Sequence, residues 1–171
     1  MSSSNRPCVV IVMGVSGCGK STVAAMLAGR MRWEFEEGDA LHPPANVAKM
    51  ASGQPLDDND RAPWLEAVAA YIDQWLENGR SGVITCSALK RRYRDVLIGD
   101  RTNVRIAYLK GSRELIAGRL AARQGHFMPA ALLDSQLAAL EEPTEDEHPI
   151  TVEVGARPEV IAARIAEELE R

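Results

Sequence analysis

The sequence predicts an α/β fold, a parallel sheet covered by helices on both faces. Three observations predict it. Short β-type runs alternate with helical patterns along the whole chain. The runs are nearly continuous in apolar residues, as expected of strands buried on both faces. The first of them, Cys8–Met13, leads into a glycine-rich turn and then into good helix formers. With 171 residues, 46 % of them hydrophobic and 26 % charged, the chain is expected to form one domain over residues 1–171 with a real core.

The elements follow in order. Cys8–Met13 is the first strand and Lys20–Arg32 the first helix. Trp33–Glu36 reads as a short second strand. After His42-Pro43-Pro44, where proline suits a first helical turn, Ala45–Ala51 reads as a short helix stopped at Gly53. Pro63 is expected to open a longer helix, in which Trp64, Leu65, Val68, Ile72, Trp75 and Leu76 recur at three- and four-residue steps until Asn78-Gly79 ends it. Gly82–Cys86 is the third strand, Arg91–Ile98 a helix, Val104–Lys110 a strand, Glu114–Arg123 a helix and Ala130–Leu140 another. Ile150–Val154 is the fifth strand, and Pro158–Leu169 closes the chain as a helix with Val160, Ile161, Ile165 and Leu169 facing inward. The acidic stretch Glu141–Glu147 reads as a solvated loop.

A net charge of −4 and a pI near 5.5 exclude broad nucleic-acid binding, which needs a dense cationic surface. Met1–Arg6 is polar and the apolar run after it has six residues, so neither a signal peptide nor a membrane span is expected, and the protein reads as cytoplasmic. Cys8, Cys18 and Cys86 lack metal-ligand spacing and leave one thiol unpaired in any disulfide scheme; reduced thiols are expected, with Cys8 and Cys86 packing in strands.

Gly14-Val15-Ser16-Gly17-Cys18-Gly19-Lys20-Ser21 has the spacing of a phosphate-binding loop in the right context of strand, loop and helix. Its glycines let consecutive N–H groups converge on a phosphate, Lys20 adds a point charge on the β/γ-phosphates, and Ser21 is placed to ligate Mg²⁺. A nucleoside triphosphate is therefore the expected ligand. Cys18 lies beside Lys20 and a helix N-terminus, a setting that favours a reactive thiolate if the side chain is exposed.

In such a sheet ligands collect at the carboxyl ends of the strands. After the second strand, Asp39 can face both the γ-phosphate and an acceptor hydroxyl, taking or orienting its proton and helping to hold Mg²⁺ through water. Arg61 is a fork able to grip a substrate carboxylate, or a partner of Asp57, Asp58 or Asp60. Trp64 reads as core. Lys90, Arg91, Arg92 and Arg94 crowd a helix start, where the macrodipole disfavours positive charge, so an anion is expected there; Lys90 and Arg94 are preferred for it by their i,i+4 spacing. Arg119 and Arg123 repeat that spacing before a Gly/Pro-limited connector, a lid of about 119–135 whose arginines would close on the triphosphate.

Together these segments resemble the gluconokinase family of kinases. The likeness runs from about Val9 to Glu142 and rests on the phosphate loop, Gly38–Pro43, Lys49–Leu56, Asp60–Leu65, Cys86–Lys90, Tyr93–Asp95 and Gly125–Phe127. It implies ATP- and Mg²⁺-dependent phosphorylation of D-gluconate to 6-phospho-D-gluconate. It also implies the shikimate and nucleoside-monophosphate kinase type of fold, five strands ordered 2-3-1-4-5 with a mobile lid, and a homodimer. By that resemblance Asp39 orients or deprotonates the acceptor hydroxyl, and Arg61, Ser87, Lys90 and His126 face the substrate; His42, and Arg94 by its spacing from Lys90, are counted with them. Gly14 to Thr22, Arg119 and Arg123 fall to the nucleotide. Glu37 stands where the family usually has Asp, and Cys18 where Ser or Ala is usual. A cationic pocket also suits another small acid, shikimate among them, and a nucleotide-dependent switch is the reading from another class, although neither Asn-Lys-x-Asp nor a switch-like Asp-x-x-Gly occurs.

Overall fold

The computed structural model describes residues 6–122 and 130–171. Five parallel strands, β1 (Val9–Met13), β2 (Glu34–Glu37), β3 (Gly82–Thr85), β4 (Val104–Lys110) and β5 (Ile150–Glu153), form one sheet in the order β2-β3-β1-β4-β5. That is the order the resemblance implies. Among the described residues seven α-helices connect and cover them: α1 (Lys20–Met31), α2 (Pro44–Ala51), α3 (Asp58–Glu77), α4 (Arg91–Ile98), α5 (Arg113–Ala122), α6 (Ala130–Ala139) and α7 (Pro158–Leu169). Among the described residues no helix is long and apolar enough to cross a membrane.

The pleat of β1 divides the core in two. Val10 and Val12 point to the side packed by α1, α5, α6 and α7, whereas Val9, Ile11 and Met13 point to the side packed by α3 and α4. Pairing with β3 through Val12 and Thr85, and with β4 through Met13 and Tyr108, brings three strand ends to one edge of the sheet. The loops that leave this edge carry the polar residues singled out above.

Three expectations are corrected. The two edge strands are not continuously apolar: β2 is Glu-Phe-Glu-Glu, and in β5 buried Ile150 and Val152 alternate with exposed Thr151 and Glu153. Charge on an edge discourages pairing with another sheet. Helix α3 starts at Asp58 rather than Pro63, because Asp57 and Asp60 form a reciprocal cap: the Asp60 N–H donates to Asp57 Oδ1 (2.8 Å) and the Asp57 N–H to Asp60 Oδ2 (2.9 Å). Pro63 rides in the second turn, at the cost of one backbone bond.

The acidic stretch is not a free loop either. The buried Glu147 carboxylate receives Arg94 Nε at 2.6 Å, Asp146 receives Arg91 Nη2 at 2.8 Å, and Glu141 Oε1 caps α4 by accepting the Arg91 N–H at 2.9 Å. The anion that the cationic start of α4 demanded is in large part the chain's own.

Candidate active site

The chain leaves β1 through backbone that only glycine adopts readily. Gly14, Gly17 and Gly19 have φ of 150°, 87° and 96°, and left-handed Gly19 is the N-cap of α1. Lys20 curls back over the loop, donating to the Gly14 and Val15 carbonyls at 2.9 and 3.2 Å. Ser21 and Thr22 are exposed in the first turn of α1, at its positive end. Cys18 faces inward: it is 1 % exposed, and a methyl on Gly14 would stand 2.7 Å from its sulfur. Burial raises its thiol pKa, against the opposing pull of Lys20 and the loop amides. The reactive thiolate expected from its neighbours is therefore not what the fold supports; Cys18 is a small residue filling the space under the loop.

Beyond β2 the chain makes one tight turn, Gly38–Leu41, and holds it firmly. The Gly38 N–H donates to Thr85 Oγ1 (3.1 Å), and its carbonyl accepts from Trp64 Nε1 (2.9 Å). Thr85 in turn donates to Glu37 Oε1 at 2.7 Å, so the longer carboxylate at this position is engaged with the end of β3. Asp39 follows with its side chain 81 % exposed, facing the cleft.

His42 stacks on Trp64, with centroids 4.1 Å apart and planes inclined by 17°. Trp64 is thus a core residue that also serves the site. Asn46 Nδ2 donates to the Asp60 carbonyl (2.8 Å) and lies 3.1 Å from His42 Nδ1. The carbonyl fixes which way the amide faces, so Nδ1 accepts and the neutral ring carries its proton on Nε2, 3.9 Å from Asp39 Oδ1. Burial lowers the His42 pKa and Arg61 adds to this, with Asp39 opposing.

A cleft of about 240 Å³ gathers Lys20, Asp39, His42, Arg61 and Ser87. It is below the roughly 300–1,000 Å³ usual for drug-sized ligands, and suits a small acceptor. Arg61 is not tied to the neighbouring aspartates; it donates to Tyr93 Oη at 3.1 Å and its guanidinium lies over the Tyr93 ring. Lys90 borders an adjoining cleft shared with Arg61, and there pairs with Asp58 at 3.4 Å.

Arg94 is not brought to the cleft. It is 2 % exposed, held by Glu147, and donates to the carbonyls of Ala88 (2.8 Å) and Leu89 (3.3 Å), which steadies the loop carrying Ser87 and Lys90. The i,i+4 argument paired it with Lys90, but Lys90 is the N-cap of α4 and lies outside the helix. Arg119 donates to the Val154 carbonyl at the end of β5. Arg123 and His126 lie outside the described residues. Sequence reasoning overlooked Thr85, Asn46 and Gln136, whose partners are 47, 14 and 120 residues away and leave no local pattern.

A family model described as an AAA domain matches residues 9–143. A gluconokinase of Gluconobacter oxydans (strain 621H) is 52 % identical over 156 residues, 91 % of this chain and 88 % of that protein. The chain belongs to the gluconokinase family. Two solved structures agree with this membership. A sugar kinase from Janibacter sp. HTCC2649 superposes with a TM-score of 0.90 at 47 % identity, covering 96 % of this chain and 95 % of the other. A gluconokinase from Sinorhizobium meliloti 1021 gives 0.81 at 42 % identity, covering 96 % and 97 %. Membership of the gluconokinase family makes the glycine loop that of an ATP-using kinase.

Proposed function

We propose that this protein transfers the γ-phosphoryl group of ATP to the terminal primary hydroxyl of D-gluconate, giving 6-phospho-D-gluconate and ADP. The observation that carries the reading is the shared cleft. Lys20 and Asp39 line it together with Arg61, so phosphate binding, hydroxyl activation and carboxylate recognition have separate groups within one small volume.

In this reading residues 14–22 cradle the phosphates and Lys20 leaves its loop carbonyls for the β/γ-phosphates. Asp39 orients the acceptor hydroxyl and takes its proton. Arg61 and Lys90 hold the carboxylate, while Ser87 and the His42 Nε2–H address hydroxyls. Arg94 acts from beneath as a support. Arg119, with Arg123 assigned by resemblance, completes the nucleotide side, and His126, also assigned by resemblance, faces the substrate from a lid of about 119–135 within one kinase domain.

Among the described residues no three His, Cys, Asp or Glu are clustered to cage a metal ion. Exposed Ser21 and Asp39 offer hard oxygen donors, which fits a Mg²⁺ that keeps waters and relies on substrate phosphates. Ser21 would ligate it directly and Asp39 through water, and the ion would neutralise charge on the β- and γ-phosphates. A cytoplasmic homodimer acting on a small molecule, with neither nucleic acid nor membrane as partner, completes the proposal.

Phosphorus NMR of a reaction with ATP, Mg²⁺ and gluconate is expected to show a primary phosphate ester. No transfer to gluconate beside rapid transfer to shikimate or a nucleoside would overturn the assignment.

A further inference from the structure

Among the described residues, helix α6 is hydrogen-bonded to the phosphate loop through Gln136. Gln136 Oε1 accepts the Ser16 backbone N–H at 2.8 Å, and Gln136 Nε2 donates to Ser16 Oγ at 3.1 Å. The direction of both bonds is settled by chemistry. A backbone N–H only donates, so the amide oxygen must face it; the NH₂ then faces the hydroxyl, and an NH₂ does not accept. Ser16 Oγ is therefore an acceptor in this pair, and its own proton remains to be given elsewhere.

Ser16 and Gln136 line the same cleft as Lys20 and Asp39. A hydroxyl proton directed there lies between the phosphate loop and the carboxylate that handles the acceptor. Phosphoryl transfer spreads negative charge over the equatorial oxygens of the group in flight, and a pre-set donor stabilises that charge without reorganising.

We propose that Gln136 is a positioning residue for phosphoryl transfer. By accepting from the Ser16 N–H and donating to its Oγ, it sets the Ser16 hydroxyl as a hydrogen-bond donor to the transferring phosphoryl group. Ser16 touches that group and Gln136 acts through Ser16. The inference rests on the kinase reading above and adds two residues with defined roles to it.

The test compares Ser16→Ala, Gln136→Leu and the double variant by steady-state kinetics and calorimetry. ADP·Mg²⁺ is titrated alone, and again with aluminium fluoride and gluconate as a mimic of the group in flight. Each single variant is expected to lose about 100-fold in kcat, the scale of one removed transition-state donor. Affinity for the fluoride complex should fall by a similar factor, with ADP affinity within about twofold of wild type and the double variant no worse than the poorer single one. Ser16→Ala keeps the backbone bond to Gln136, so it decides the matter alone if Gln136→Leu fails to fold. Wild-type kcat in Ser16→Ala, or parallel losses for ADP and the fluoride complex, would overturn the proposal and leave the pair as a fastening of α6. Wild-type enzyme that does not phosphorylate gluconate would overturn the functional reading instead.

Discussion

At Gly38 a methyl group would stand 1.9 Å from the Thr85 carbonyl oxygen, so the turn that presents Asp39 tolerates no side chain at its first residue. Gly38→Ala is expected to lose about 3 kcal/mol or more in denaturant unfolding, the upper range for overpacking, because backbone rather than a rotamer must yield. Asp39→Asn should leave folding and ATP binding intact while lowering kcat by about two to four orders of magnitude, which stopped-flow and calorimetry separate. Near-normal turnover would deny the carboxylate a chemical role. His42 supplies a pH test. Its folded pKa lies below the ordinary 6.5, so its contribution to stability is present above 6.5 and is lost as pH falls through the folded value. An imidazole NMR titration should give a midpoint under 6.5 and nitrogen shifts of the Nε2–H form. Cys18, sealed under Gly14, should resist alkylation in the native protein, and labelling there without unfolding would contradict the buried placement.

Helix α4 shows how elements depend on distant segments. Its Arg94 binds two carbonyls of the preceding loop and a carboxylate 53 residues on, and both partners of that ion pair are buried. Removing one partner from such a pair costs about 3–5 kcal/mol, so Arg94→Met and Glu147→Ala should each show that loss in urea unfolding. Arg94→Lys should recover only part of it, since an ammonium lacks the planar fork. Burial alone would raise the Glu147 pKa, but Arg94, the Thr144 N–H and Arg91 outweigh it and the net shift is downward from 4.5. Its stabilisation is thus whole above pH 4.5 and disappears as pH falls through the lower folded value, and Glu147→Gln should flatten the acid side of the melting profile.

The cations at the start of α4 announced an anion in the sequence, and α4 itself was readable to the residue. Which anion was not readable, because spacing along a helix says nothing about the loop that folds over it. The cap of α3 was written in Asp57 and Asp60, yet Pro63 is the more familiar opening signal and drew the boundary forward. The strand order and the Lys20–Asp39 meeting followed from the glycine loop and the family pattern. The hold of Trp64 on Gly38 depends on packing across the sheet edge, which no periodicity reveals.

On the scale of the whole molecule, the sheet separates a core under α1 and α7 from one under α3 and α4, and the acceptor cleft rests on the second through Trp64, with Ser135 and Gln136 of α6 on its other wall. Two buried substitutions should therefore differ in kind. Ile165→Ala, in the first core, is expected to lose about 2–5 kcal/mol of stability with the gluconate KM unchanged. Trp64→Phe, in the second, removes the donor to the Gly38 carbonyl and should raise KM and lower kcat for a smaller loss of stability. Matching kinetic profiles for the two variants would contradict the division.

Asp58 lies beside this cleft, half-exposed, and holds Lys90 together with Arg92 and Tyr93. In the proposed reaction a carboxylate bound at Lys90 would displace it, and the acceptor site would work as an ion exchanger: one anion leaving the cation as another takes it, with the number of ion pairs nearly conserved. Gluconate affinity should accordingly change by less than about twofold between about 50 and 200 mM salt, where a simple pairing of free charges would be screened far more. Asp58→Asn turns the exchange into a net gain of one pair, and calorimetry should find tighter binding with a steeper dependence on salt.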